Sequence, residues 1–335
     1  MSERQVGQLS LADGLVAATA RPNATLERIA TLVDWREIEA LLAPLRSGKM
    51  GAPAYPSLIL FRALLLQQWF ALSDPALEEA LADRLSFRKF LGLGLSEPVP
   101  DHSTLWRFRE QLAQQGALAA RAFAVIEKQI DKAGFVVKRG SLIDATLVPS
   151  AVNPPEPPTG PLKLDEDGRP ASKLVKSRID PDAAWTKKEN GYRFGYKVHA
   201  ALDEGSRIVR RAVFTPANIN DSVCGDDLIC GDEGAVYADK AYDSNKRRAL
   251  LKAKGIRDGV MRRSTRWRVM SASDKRRNKR IAGKRAPIEP LFALLKNVYR
   301  FARARYRGLA RNAAAMHLAF TAMNLKRWAA LASAA

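Results

Sequence analysis

The change of texture at residue 135 most constrains what this chain can fold into. Before it, apolar residues recur at helical spacing. The stretch FVVKRGSLIDATLVPSA (135–151) is instead rich in β-branched residues, and too short and unperiodic for an amphipathic helix. It reads as a buried strand, and it carries an acid, Asp144, in its middle. A carboxylate in an apolar strand is costly unless a cation or hydrogen bonds compensate it. Lys138 and Arg139 are the local candidates for that compensation.

The first 134 residues read as an all-α N-terminal domain. A helical pattern runs from Asn23 through Leu26, Ile29, Leu32 and Val33, and a second helix begins near Tyr55 and Pro56 with apolar positions nearly all round, which marks a core helix. Ser73-Asp74-Pro75 reads as a cap followed by proline in the first turn, opening a helix with Leu77, Leu81, Leu85 and Phe90 that Gly92 and Gly94 end. Asp101-His102-Ser103 opens TLWRFREQLAQQ, where Leu105, Phe108 and Leu112 share a face and Arg107 and Arg109 point elsewhere. Two such helices form either a helix-turn-helix-like pair or part of an ordinary bundle.

Beyond the strand, residues 150–191 hold many charges and Pro154, Pro155, Pro157, Pro158 and Pro161, which predicts a loop or insertion. GYRFGYKVHAALDEGSRIVRRAVFTPAN then reads as a hairpin, with Phe194, Tyr196 and Val198 alternating ahead of a turn at Asp203-Glu204-Gly205. A short helix is expected over Asn218–Ile229 with Asp221 as its cap, and AVYADKAYD is a second short strand ending in an acid, Asp239. Ser244–Lys254 reads as a helix, Ile256–Met261 as an edge strand, Arg262–Lys284 as a basic stretch without periodicity, and the last helices begin near Ile288 and Asn312. This order of elements belongs to an α/β layer with a mixed sheet.

Charge narrows the function. Between Lys246 and Arg311 there are 23 Lys and Arg against three acids, Asp258, Asp274 and Glu289, so the net +20 of the chain lies in this one segment. Such a segment calls for a polyanion, and nucleic acid is the partner that Lys and Arg bind by neutralising phosphates. The longest apolar run, Leu58–Leu72, is interrupted by Arg62, Gln67 and Gln68, and is shorter than a membrane span. The N-terminal MSERQVGQLSLADG lacks the apolar core of a secretory signal. Cys224 and Cys230, with no histidine pair nearby, argue against a disulfide framework and a zinc site. Within the basic segment, Glu289 is either an ion-pair partner of Arg285 or Lys296, or a functional acid. Mg²⁺ prefers a few carboxylate oxygens plus substrate phosphate oxygens, so acids on two strands and a late helix would make a coherent phosphoryl-transfer site.

Five segments in order resemble the IS5-type branch of bacterial insertion-sequence transposases of the DDE class. These are PDHSTLWRFREQL, SLIDATLVPSA, the hairpin followed by INDS, VYADKAYDS, and the spacing R-x3-E-x6-K at Arg285, Glu289 and Lys296 followed by RYRGLARN. The resemblance covers roughly residues 25 to 328. It implies an α/β RNase H-like catalytic core, a mixed central sheet flanked by helices, over 135–311. The insertion would interrupt this core, and a C-terminal helix over 312–335 would pack on it. It implies Asp144, Asp239 and Glu289 as catalytic and metal-binding residues for Mg²⁺, or Mn²⁺, with two ions per site. Arg285, Lys296, Lys240, Tyr242, His199, Arg107, Arg109, Arg305 and Arg307 become candidate DNA contacts. Asp243 is the alternative to Asp239, and a packed His199 the alternative to a DNA-facing one. The implied partners are double-stranded DNA, at the element's terminal inverted repeats and at target sites, and a second copy of the chain in a cytoplasmic, nucleoid-associated complex. A non-catalytic end-binding protein and a general RNase H-like nuclease are the rival readings.

The chain departs from the family pattern Y-x2-R-x3-E-x6-K at Ala282, where tyrosine is expected. Pro290 follows Glu289 directly, so a helix either starts at about residue 287 or bends there. One uninterrupted helix would carry Arg285, Glu289 and Lys296 on a common face.

Overall fold

The computed structural model of the chain describes residues 4–8, 23–45, 53–115, 117–155, 179–188, 191–264 and 269–334. Most of the N-terminal stretch considered as a signal, and residues 156–178 of the Pro-rich insertion, lie outside the described residues. The chain divides into two compact units, Met1–Ala133 with His317–Ala335, and Gly134–Met316. From His317 onward the C-terminal helix therefore groups with the helical unit, whereas the sequence reading assigned it to the core from residue 312.

The helical unit is built from α1 (Ala24–Leu32), α2 (Trp35–Leu42), α3 (Ser57–Phe70), α4 (Asp74–Asp83), α5 (Leu85–Leu91), α6 (His102–Gln114) and α7 (Leu118–Lys132). Short polar side chains start most of these helices by satisfying free amides of the first turn. Asn23 accepts from the Leu26 N–H, Ser73 from the Ala76 N–H and Asp101 from the Thr104 N–H. α3 is buried on nearly every side, as its apolar sequence predicts. Gly92, at φ +77°, ends α5 in the left-handed conformation that costs glycine least. The single helix expected over residues 74–91 breaks at the extended Arg84. Residues 92–101 separate α5 from α6, a connection longer than the tight turn of a helix-turn-helix.

The second unit holds a six-stranded mixed sheet flanked by helices. Its strands are β1 (Ser141–Pro149), β2 (Ala184–Lys188), β3 (Gly191–Asp203), β4 (Val209–Pro216), β5 (Ala235–Ala238) and β6 (Arg257–Val260). The path β2-β3-β1-β5-β6 runs across it, and β4 also pairs with β3. β3 is antiparallel to β1, β2 and β4, while β5 lies parallel to β1 and β6 parallel to β5. The two parallel strands β5 and β6 are joined through α8 (Asn245–Ala253). α9 (Ala272–Arg285), α10 (Ile288–Asn297) and the start of α11 (Leu309–Ala334) complete the unit.

Two residues mark the opposite ends of the β1–β3 ladder. Gly195 has φ +153°, and a Cβ there would stand 2.4 Å from the Val148 carbonyl oxygen, so only glycine fits where β1 ends against β3. Asp203 is fully buried at the hairpin turn, and its carboxylate accepts from the amides of Val137, Lys138, Gly205 and Ser206 and from the Ser206 hydroxyl. Buried carboxylates persist when hydrogen bonds replace water in this way.

Three local expectations change. Residues 218–229 form successive turns and no helix. β2 lies inside the stretch read as an irregular insertion, close to Asp180, whose buried carboxylate accepts from the Tyr196 and Ser150 hydroxyls and the Gly308 amide. The basic stretch before Arg285 is mostly α9, opened by a capping box in which Ser271 and Asp274 satisfy one another's amides.

Candidate active site

Side chains alternate across a strand, and Ile143 and Ala238 both belong to one buried cluster with Ala201, Tyr242, Leu251 and Val260. These two residues are direct partners in the parallel β1–β5 ladder. Asp144 follows Ile143 on β1 and Asp239 follows Ala238 just past the end of β5, and the charge of Asp239 acts on Asp144. Asp144 sits in mid-strand, whereas Asp239 follows the end of β5 and opens a 3₁₀ turn, its carboxylate accepting from the Lys240 amide at 2.7 Å.

Asp144 is compensated from across the unit. Arg285, the last residue of α9, places Nη2 3.0 Å from Asp144 Oδ2, and the Ala145 amide donates to Oδ1 at 2.9 Å. The side chains of the pair are 13% (Arg285) and 29% (Asp144) exposed, so the pair is shielded from bulk water without being sealed off. Burial raises the Asp144 carboxyl above its ordinary pKa; Arg285 opposes that rise, and the charges of Asp239 and Asp221 add to it. Lys138 is engaged elsewhere, by Asp232 at 3.0 Å. Arg285 is thus held by a carboxylate where the sequence reading had it on DNA, with its Nε buried and unpartnered.

Asp243, the alternative to Asp239, is spoken for. Arg248 pairs with it, the Arg263 amide donates to it at 2.9 Å, and its side chain is 8% exposed. Asp239 is half-buried, and its hydrogen-bond partner among the described residues is the neighbouring Lys240 amide.

Arg285 and Glu289 do not share one helix. Ala286 and Pro287 separate α9 from α10, so Glu289 stands in the first turn of a new helix and Pro290 falls where its missing N–H costs no intrahelical bond. Glu289 is exposed in the first turn of α10, at the helix's positive end. Lys296 lies in the last turn, half-buried. The oxygens of Asp144, Asp239 and Glu289 do not all come within 4.8 Å of one another.

Several candidate contacts are placed inside the protein. His199 is fully buried, Nε2 lying 3.0 Å from Thr215 Oγ1, and burial lowers its pKa to about 4, so it is a neutral packed imidazole. Tyr242 is 1% exposed within the cluster behind the sheet, its hydroxyl unpartnered. Arg109, expected at the surface, is buried, and reaches Asp74 with Nη2 at 2.5 Å and Nη1 at 3.1 Å. Arg107 is exposed on α6 beside an exposed Trp106 and folds back on Ser103. Lys240 and Arg307 are exposed and Arg305 is half-buried.

Asp221 caps no helix. It accepts from Lys197 Nζ at 2.9 Å, and its charge acts on Asp144, His199 and Tyr242. No sequence signal pointed to that pairing, because Lys197 lies on β3 and Asp221 in the turns after β4. Among the described residues one His/Cys/Asp/Glu group has its ligand atoms within 4.8 Å, Cys230, Asp232 and Glu233. Its acids are occupied: Glu233 accepts from the amides of residues 230, 231 and 232, and Asp232 binds Arg210 and Lys138.

The chemistry of Asp144, Asp239 and Glu289 fits a hard divalent cation, which takes carboxylate oxygens. A buried acid whose own pKa is raised by a neighbouring acid gains from any cation placed between them. Arg285 supplies positive charge to Asp144.

Residues 137–325, more than half of the chain, match the family model described as a transposase DDE domain. Residues 16–111 match a second model, described as a transposase domain (DUF772). No solved structure matches the chain.

Proposed function

The chain belongs to the DDE transposase family, an enzyme of DNA cleavage and strand transfer, and on that premise we propose that Asp144, Asp239 and Glu289 are its catalytic acids. The observation that carries this reading is the parallel Ile143–Ala238 register, which is followed on each strand by an acid. The alternating directions of β1, β3 and β4, followed by β5 and β6 running parallel to β1, support an RNase H-like core. The motif order supports an IS5-type element whose terminal inverted repeats are the bound DNA.

The three acids would hold Mg²⁺ or Mn²⁺, two ions per site, and the bound metal supplies stabilisation of charge on the reacting phosphate and activation of the attacking oxygen. In the first step a water oxygen bonds to phosphorus as the P–O3′ bond breaks, releasing a 3′-OH and a 5′-phosphate. In the second, that hydroxyl oxygen attacks a target phosphodiester and displaces a target 3′ oxygen. The chain forms no covalent bond. Lys296, Lys240, Arg305 and Arg307 position backbone phosphates, and Arg285 exchanges Asp144 for phosphate when the acid takes a cation. Two ends must be held together, so a homodimer or larger complex on cytoplasmic, nucleoid DNA is the working assembly.

Asp144→Ala, Asp239→Ala and Glu289→Ala should each abolish Mg²⁺-dependent cleavage of a labelled element end while leaving gel-shift binding in place. Full cleavage by all three would overturn the assignment. Binding without cleavage by the unaltered chain would favour a decayed, end-binding copy, the reading to which Ala282 points.

A further inference from the structure

Cations in a basic segment are not equally available, because the fold consumes many of them. Arg247 is buried on Asp226 and on the carbonyls of Ser222 and Tyr242; Arg262 binds Asp258; and Arg303 binds the Ser150 carbonyl. α9 divides its own charges in the same way. At 100° per residue, Arg277, Asn278, Ile281 and Arg285 lie on one side. That side is tied down: Arg277 donates to the carbonyls of Val260 and Asp258, Asn278 is paired both ways with the Arg262 backbone, Ile281 is buried, and Arg285 meets Asp144.

The opposite side carries Lys275, Arg276, Lys279 and Arg280. All four are exposed, and none makes a side-chain ion pair or hydrogen bond with a described residue. Nothing acidic interrupts that side, and its remaining positions are the small Ala272, Ala282 and Gly283, which leave the face open to close approach. The four cations form two pairs one helical turn apart, about 6 Å along the axis. Four like charges within two turns repel one another, and a polyanion with regularly spaced phosphates relieves that repulsion while releasing its own counterions. Duplex DNA presents one phosphate per roughly 3.4 Å of rise on each strand.

We propose that this outward face of α9 is a binding surface for the phosphate backbone of duplex DNA, held next to the cleavage site because the same helix ends in Arg285 on Asp144. The proposal rests on the reading of Asp144 as a catalytic acid for its placement, though its binding test does not.

The test measures the affinity of the full-length chain for a fluorescent 30-base-pair duplex across a KCl series. Each phosphate that the protein no longer neutralises reduces the slope of log K against log salt by about 0.9. The variant K275Q/R276Q/K279Q/R280Q, with helix-compatible glutamines, should lose about 3.6 from that slope and bind at least tenfold more weakly at 0.1 M salt. Circular dichroism and melting of the variant should match the parent, and should the quadruple variant fail to fold, K279Q/R280Q is expected to lose about 2. A slope within 0.5 of the parent's in a folded variant overturns the proposal. So does loss of binding to phosphatidylserine vesicles with DNA binding unchanged. Failure of the catalytic assignment appears in cleavage by the alanine variants of the three acids, and failure of this surface appears in the salt slope of variants that keep all three acids.

Discussion

Arg285 Nη2 and Asp144 Oδ2 lie 3.0 Å apart, joining the end of α9 to the middle of β1. The guanidinium keeps a semi-buried acid ionisable, and that acid in turn fixes where α9 ends. Removing one partner strands the other in a poorly solvated place, a cost that exceeds what the pair contributes as a pair. Discounted for the partial exposure of Asp144, Arg285→Ala and Asp144→Ala should each destabilise by about 2 kcal/mol. In a double-mutant cycle followed by urea unfolding, the two changes should couple by about 1 kcal/mol or more. Strict additivity would mean that the pair contributes nothing.

Asp243 and Asp239 should separate by readout. Because Asp243 is enclosed by Arg248, Arg262 and the Arg263 amide, Asp243→Asn should lower the melting temperature and leave Mg²⁺-dependent cleavage within a few fold of the parent. Asp239→Asn should do the reverse. Cleavage abolished at Asp243 in a stably folded variant would transfer the metal role to it.

Arg109 and Arg107 should part in the same way. Arg109 makes two hydrogen bonds to Asp74, which also accepts from Gln67, so one carboxylate ties α3, α4 and α6 together. Arg109→Ala should cost about 3 kcal/mol of stability with the salt dependence of DNA binding unchanged. Arg107→Ala should cost little stability, since its partner among the described residues is Ser103 on the same helix; if it contacts DNA, weaker binding and a shallower salt slope follow.

His199 makes stability depend on pH. Its folded pKa is about 4 against 6.5 for an exposed histidine. Below pH 6.5 the unfolded chain therefore takes up a proton that the folded chain refuses. The stabilisation is fully present above pH 6.5 and is lost as pH falls towards 4, amounting to roughly 3 kcal/mol. Melting curves of His199→Gln at pH 7 and pH 4.5 should differ less from each other than those of the parent; an equal pH sensitivity would mean that His199 is already charged in the fold.

Much of the secondary structure was legible from local signals. Asn23, Ser73 and Asp101 mark helix starts by their own side-chain chemistry, and Pro290 announces a helix beginning just before it. The capping pair Ser271 and Asp274 was equally local, yet the density of charge in α9 hid the helix, since its inward stripe is the half-buried Arg277 with buried Asn278 and Ile281 instead of a run of apolar residues. α7 carries clear periodicity at Leu118, Ala122, Ile126 and Ile130 but was not among the expected elements. β2 was missed because a strand of five residues is recognised by its partner, here the start of β3, and not by its own sequence.

The site followed the same rule. Sequence alone determined that acids stand at the ends or middles of apolar strands and that the chain's net charge is concentrated over residues 246–311, because these are properties of neighbouring residues. Only the tertiary structure decided which cation meets Asp144, that His199, Tyr242 and Arg109 are turned inward, that Lys197 holds Asp221, and which side of α9 is free. Those outcomes depend on contacts between residues distant in the chain, where burial and ion pairing are settled by what packs opposite and leave no trace in local spacing.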